Sequence, residues 1–411
     1  MMLLSFKQNT VTMENLVVLI IDCATFALTI KKMSMNSFLE ELKWRGMLHN
    51  YTEEVAEILA EKSTCGYIGF DPTAPSLTIG NYIQIMILHF FQEAGHRPIV
   101  LMGGATGRIG DPSGKDAERD LKSFDELDRN LAHQQKQFEK LLNFETGENR
   151  AILVNNLDFY RNMNVLDFLR DVGKSINISY MLAKDSVKTR LDKGLSFTEF
   201  SYQLLQAYDF QCLYQQEECV LQMGGSDQWG NITSGTEFIR RNLGAKAYAI
   251  TTPLLTKSDG SKFGKSAEGN IWLDPVLTSP YKFYQFWINT DDSDLPKYLR
   301  YFSFLNQREI QDLESEYRQD LQALKKILAE EMTIRIHGEE AYRAVQNVSE
   351  LLFGRQVDET FLRGLSEADW LAVSKEIPSF SIKKEDLDKG LTAIDLIAEV
   401  TNIVTSKGEA R

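Results

Sequence analysis

The chain has 411 residues, 43% of them hydrophobic and 25% charged, and carries a formal net charge of -13. Two or three domains are expected at that length, and the composition is that of a globular protein, not a collagenous or disordered one. The acidic balance argues against a surface broadly suited to nucleic acid; such a partner requires a local basic face.

In chain order, the first feature is an apolar stretch, Leu16–Ile21 and Phe26–Ile30, interrupted by Asp22. It is short of the ~20 residues a spanning helix needs. It also lacks an obvious small-residue cleavage site, so neither a membrane segment nor a signal peptide is expected. Met33 or Met35 is the expected start, which leaves residues 1–35 as an N-terminal extension outside the fold.

Buried strands are predicted at Thr64–Phe70, Ile99–Met102, Ala151–Val154 and Cys219–Met223, each a short apolar run followed by turn residues. Helical patterns separate them. Ile79, Ile83, Ile87 and Phe91 repeat every four residues, and Phe124 to Leu142 and Val165 to Leu169 also read as helix. Strands alternating with helices imply an α/β domain with a parallel, Rossmann-like sheet, over residues 36–252. Ligands of such sheets bind beyond the carboxyl ends of the strands. Those ends read Asp71-Pro-Thr73, Gly103 to Asp111, Asn155-Asn156 and Gly224 to Gln228. Glycines and short polar groups thus recur along one sheet edge, which favours a nucleotide site.

Residues 253–280 read as a mobile linker around Lys262-Phe-Gly-Lys-Ser266. Residues 281–354 form an aromatic-rich helical region in which Leu321, Leu324, Ile327, Leu328, Met332 and Ile336 have helical spacing and serve as core. Residues 355–411 are a linker of mixed polarity and a final segment beginning at Leu391. The cysteines Cys23, Cys65, Cys212 and Cys219 form no CxxC pair and no disulfide-like spacing. A reduced, cytoplasmic compartment is therefore expected, and no structural zinc.

Three groups of residues carry chemistry. Gly69 to Asn81 runs from a strand into a helix; Gly80 lets a nucleotide approach the helix start, and Asn81 offers an amide donor to a phosphate. Lys262 and Lys265 place two ammonium groups on a Gly- and Ser-rich loop, suited to phosphate. Tyr202, Gln206 and Asp209 share one helix face, and a carboxylate in so apolar a run needs a partner. The histidines His49, His89, His96, His133 and His337 lie outside all three groups, so neither a histidine triad nor a protein-bound metal is expected.

Gly69-Phe-Asp-Pro-Thr-Ala-Pro-Ser-Leu-Thr-Ile-Gly-Asn81 and Lys262-Phe-Gly-Lys-Ser266 together resemble the two signature motifs of class I aminoacyl-tRNA synthetases. Tyr67 with Tyr202-Gln-Leu-Leu-Gln-Ala-Tyr-Asp-Phe210 resembles the tyrosyl branch of bacterial type, and the likeness runs from about Ser37 to the C-terminus. It implies that Tyr67 and Asp209 bind the phenol of L-tyrosine and that Tyr202 and Gln206 hold its ammonium. Asp111, Asn156 and Gln228 complete the amino-acid pocket. ATP falls to Gly69, Asp71, Gly80, Asn81, Gly225, Asp227 and Lys265. Thr73, Thr78, Asn81, Lys262 and Lys265 assist phosphate chemistry. Thr78 departs from the family, which usually has histidine there. The resemblance further implies Mg²⁺ with the ATP, tRNA(Tyr) as acceptor, a cytoplasmic homodimer joined through Leu157–Lys193, and tRNA contact by residues 281–354. Ser406-Lys-Gly-Glu-Ala-Arg411 resembles the opening of an S4-type RNA-binding module that is incomplete here.

Three alternatives are open to the same sequence. A tryptophanyl relative shares the fold and both motifs but has no use for a phenol-binding pair. An RNA-binding protein without catalysis is disfavoured by the intact lysines and pocket. A small-molecule adenylyltransferase is disfavoured by the helical and S4-like regions.

Overall fold

The computed structural model describes residues 37–113, 121–266, 269–354, 357–377, 380, 382, 384–387, 390–401 and 403–410. The expected extension, residues 1–35, lies outside them, as do the ends of several C-terminal segments. The chain divides into two compact units, one within Met1–Thr278 and Asn289–Leu328, the other within Ser279–Ile288 and Ala329–Arg411. Residues 289–328 of the anticipated helical region therefore belong with the sheet.

The first unit is built on a six-stranded sheet in the order β1-β6-β5-β2-β3-β4. Its strands are β1 (Asn50–Tyr51), β2 (Cys65–Phe70), β3 (Arg97–Met102), β4 (Ile152–Asn155), β5 (Cys219–Gly225) and β6 (Tyr248–Thr252). All neighbours are parallel except β1 on β6. The edge pair β1 and β6 was not foreseen from the sequence. The chain steps outward from β2 through β3 to β4, then returns to β5 on the other side of β2. That reversal opens a crevice between the carboxyl ends of β2 and β5. The register there pairs Tyr67 with Gln222.

The apolar runs become strands because both faces are covered, as a parallel sheet requires. Five helices matter for the site: α1 (Ile79–Glu93), α2 (Phe124–Leu141), α3 (Leu157–Tyr160), α4 (Phe197–Glu217) and α5 (Trp229–Leu243). Ile79, Ile83, Ile87 and Phe91 of α1 are all buried. Phe210 and Leu213 of α4 and Ile239 of α5 pack with Cys65, Tyr67, Ile99 and Leu101 in one core cluster. Burial of one such side chain contributes roughly 1.5–3 kcal/mol. The first described helix, Ser37–Arg45, is pinned by Arg45, whose guanidinium donates to the carbonyls of Arg300, Ser303 and Leu305 at 2.6, 3.0 and 2.8 Å.

The second unit is helical. Trp287 and Phe283 of the helix Pro280–Ile288 are buried, as are Val345 and Val348 of Glu339–Phe353 and Val373 of Glu367–Glu376. Asn347 donates to Asp369 at 3.0 Å, tying the last two together. In the final segment Lys407 pairs with Asp395 and Glu399 at 2.6 and 3.0 Å. No helix among the described residues is long and apolar enough to cross a membrane.

Candidate active site

A cavity of about 350 Å³ opens at the carboxyl ends of β2 and β5. It is lined by Tyr67, Gly69, Asp71, Thr73, Gly80, Asn81, Asp111, Asn156, Tyr202, Gln206, Asp209, Gly225, Asp227 and Gln228. Residues from four strand ends and two helices thus meet in one place. Thr78, Lys262 and Lys265 do not line it. Gln222, Thr106 and Gln84 do line it and were not singled out from the sequence.

At the closed end Asp209 is 1% exposed. Its Oδ2 accepts from Asn156 Nδ2 at 2.8 Å and its Oδ1 from Tyr160 Oη at 2.7 Å. Burial pushes its carboxyl up to about 7, against the pull of those two donors. Tyr67, from the adjacent strand, is fully buried, and its Oη has no partner. Burial, and then the charge of Asp209, raise its phenol well above the usual range. Tyr67 therefore stays a neutral O–H donor. An unpaired donor beside a buried carboxylate suits a ligand group that both accepts and donates, such as a hydroxyl. The side-chain oxygens of Gln206 and Gln222 are likewise buried without a partner.

A second network runs above this end. Asp71 accepts from Tyr202 Oη at 2.9 Å and from Thr106 Oγ1 at 2.6 Å. Asn156 joins it to Asp209 by donating to Thr106 Oγ1 at 3.0 Å. Gly103 is required here, because a Cβ at that position would lie 2.0 Å from Asp71 Oδ1. Asp111 accepts from Gln228 Nε2 at 2.7 Å and from the Ser113 amide at 2.9 Å. Asp227 faces the same opening, and burial, then the nearby charge of Asp111, raise its carboxyl.

The first motif is held from both sides. Asn130 and Gln134 of α2 donate to the Pro72 and Ala74 carbonyls at 3.1 and 2.8 Å, and Gln137 accepts from the Leu77 amide at 2.9 Å. Thr78 is the N-cap of α1. Its hydroxyl accepts from the Asn81 amide at 3.2 Å, and Asn81 Oδ1 accepts from the Thr78 amide and hydroxyl at 2.9 and 2.7 Å. Thr78 is thus engaged in capping, and Asn81 keeps its NH₂ as donor toward the cavity it lines.

The second motif lies against the start of α1. The Ile79 amide donates to the Ile271 carbonyl at 2.9 Å, and the Ile271 amide to the Gly264 carbonyl at 3.0 Å. Gly264 has φ +79°, and a Cβ there would come within 2.9 Å of Ile79 Cγ2. Phe263 is buried against Tyr298 and Phe302, with ring centroids at 4.9 and 5.2 Å. Its neighbours Lys262 and Lys265 are exposed, so the backbone is anchored while both ammonium groups face solvent. Among the described residues no cluster of three or more His, Cys, Asp or Glu is placed to hold a metal ion.

Comparison with known proteins matches this arrangement. Residues 60–354 fit the family model described as tRNA synthetases class I (W and Y). The chain is 54% identical to a tyrosine–tRNA ligase of Cytophaga hutchinsonii, over 92% of this chain and 89% of that protein. It is 51% identical to one of Bacteroides fragilis, over 91% and 89%. Its structure resembles that of a C-terminally truncated mitochondrial tyrosyl-tRNA synthetase of Aspergillus nidulans, with TM-score 0.71, 31% identity, and coverage of 81% of this chain and 100% of that one. The chain belongs to the class I tRNA synthetases of the tryptophan and tyrosine type, and within them to the tyrosine–tRNA ligases.

Proposed function

We propose that the cavity carries out both steps of a tyrosine–tRNA ligase: L-tyrosine and ATP form tyrosyl-adenylate and pyrophosphate, and tyrosine then passes to the terminal ribose of tRNA(Tyr). The observation that carries this reading is the unpaired Tyr67 hydroxyl beside the buried Asp209 carboxylate. The substrate phenol accepts from Tyr67 and donates to Asp209. An indole N–H could donate to Asp209 but would leave Tyr67 without an acceptor, so tryptophan fits poorly.

The remaining roles belong to the same proposal. Gln206 Oε1 and Tyr202 Oη accept from the ammonium, and Asp111 supplies negative charge beside them. Gln228 orients the carboxylate, which is already ionised and attacks the α-phosphorus of ATP; the bond to pyrophosphate breaks as the acyl–phosphate bond forms. Gly69, Gly80 and Gly225 leave room for the nucleotide, and Asp71 and Asp227 face its ribose side. Thr73 and Asn81 donate to phosphate oxygens, while Thr78 keeps the helix end in shape. Lys262 and Lys265 swing over the departing pyrophosphate. Alignment and positioned charge carry the rate, with no need for a general base. ATP enters as its Mg²⁺ complex.

A homodimer is supported by exposed apolar side chains on the segment after β4, where Val165, Leu166 and Ile178 are 69%, 72% and 65% exposed. We assign tRNA contact to residues 281–354 and to the S4-like segment, and action in the cytoplasm. The test is amino-acid-dependent exchange of pyrophosphate into ATP. Tyrosine is expected to support it and tryptophan not; exchange driven by tryptophan, or none, would overturn the reading.

A further inference from the structure

Asp209 is gripped from behind as well as from the cavity. A fully buried carboxylate stays ionised only where donors replace its lost water. Asn156, at the end of β4, supplies one donor. The other is Tyr160, which closes α3 and does not line the cavity. Its ring packs against Tyr208 and Phe168, with centroids 5.7 and 6.5 Å away. Its hydroxyl also lies 3.0 Å from the Leu205 carbonyl, so it sits between two acceptors.

We propose that Tyr160 is a positioning residue for substrate recognition: its hydroxyl donates to Asp209 Oδ1, sets the plane of that carboxylate and keeps it an ionised acceptor for the substrate phenol. This deepens the tyrosine reading of the cavity and rests on it. Tyr160 has one hydrogen for two acceptors. With Asp209 ionised, the hydrogen goes to the carboxylate. When Asp209 takes up a proton, the Tyr160 hydroxyl turns to the Leu205 carbonyl, and Asp209 becomes a weaker acceptor for the substrate.

The titratable groups facing Asp209 are Tyr67 on β2, Asp71 beyond its end, Tyr160 on α3, and Tyr202, Tyr208 and Cys212 on α4. Asp71, the other carboxylate acting on it, disfavours its charge. Tyr160 and Asn156 are the groups that favour it. Loss of the Tyr160 hydroxyl therefore raises the proton affinity of Asp209 further.

The test is Tyr160→Phe in the full chain, with tyrosine-dependent pyrophosphate exchange followed from about pH 5.5 to 9. KM for tyrosine should rise roughly 10-fold or more, while kcat and KM for ATP hold. The acid limb of kcat/KM for tyrosine should move up by about one pH unit. An unmoved limb, whether KM for tyrosine is unchanged or rises together with KM for ATP, overturns the proposal. If the wild-type chain shows no tyrosine-dependent exchange, the reading of the cavity falls and this inference with it; if wild type exchanges and the variant matches it, only Tyr160 falls. Should Tyr160→Phe not fold, 3-fluorotyrosine placed at position 160 provides a more acidic donor. It should move the acid limb down, and an unmoved limb there again overturns the proposal.

Discussion

Burial pushes the Asp209 carboxyl up to about 7 even with two donors on it. A raised carboxyl makes the folded state bind its proton more tightly than the unfolded chain, where the value is about 3.9. The associated stability is present below pH ~4 and is lost as the pH rises through about 7. The cost above that pH is roughly 4 kcal/mol by the same relation. Asp209→Asn, which cannot ionise, should therefore gain thermal stability relative to wild type as the pH goes from 5 to 8, on the order of a few kcal/mol. Unfolding temperatures of both chains at those pH values check this; a constant difference would mean the carboxylate is not desolvated. Placement of Tyr202, Gln206 and Asp209 on one face was legible because helical spacing is local. Tyr160 was not legible, because it reaches Asp209 across 49 residues. Thr106, which reaches Asp71 across 35, was hidden in the same way. Gln222 left a faint signal, as a polar residue inside a buried strand.

The two motifs are positioned by different local physics. The first is a capped helix start. Thr78→Ala removes the hydroxyl that accepts from the Asn81 amide and should lower stability by about 1 kcal/mol, read from the unfolding midpoint in denaturant. The signal was available in the Thr78-x-x-Asn81 spacing, a near relative of the capping box, but was overshadowed by the catalytic reading of Thr78. The second motif is a loop fixed by Phe263 and Gly264, with its lysines exposed. Lys265→Ala should lower kcat for adenylation by about 2–4 kcal/mol of transition-state stabilisation and leave the tyrosine Kd nearly unchanged. Pre-steady-state adenylation with equilibrium tyrosine binding separates the two; equal damage to binding would make the loop structural. The long apolar runs of β2 to β5 were readable as strands. The pair β1 and β6 was not: β1 is a two-residue element with both residues exposed, and β6, although fully buried, is a short run ending in two threonines.

Across the whole molecule, a net charge of -13 and an exposed apolar segment at Val165, Leu166 and Ile178 set the expectations for assembly. On the proposed homodimer, Leu166→Glu should shift the chain toward monomer in sedimentation; an unchanged mass would count against assembly through this segment. The family was legible from two motifs because each combines a backbone requirement with a chemical one. The division into compact units was not, because residues 289–328 pack with the sheet although their sequence is as helical in pattern as that of residues 329–354. On the proposed function, the cavity selects tyrosine by pairing its hydroxyl with Tyr67 and Asp209. The most direct measurement is the ratio of kcat/KM for tyrosine over phenylalanine in pyrophosphate exchange, in wild type and in Asp209→Ala. Tyrosine-specific synthetases are themselves the standing example of such hydroxyl discrimination, at about 10⁴–10⁵, and that magnitude is taken over from them. A ratio of that order is expected in wild type, with most of it lost in Asp209→Ala; the same ratio in both chains would rule out selection by this pair.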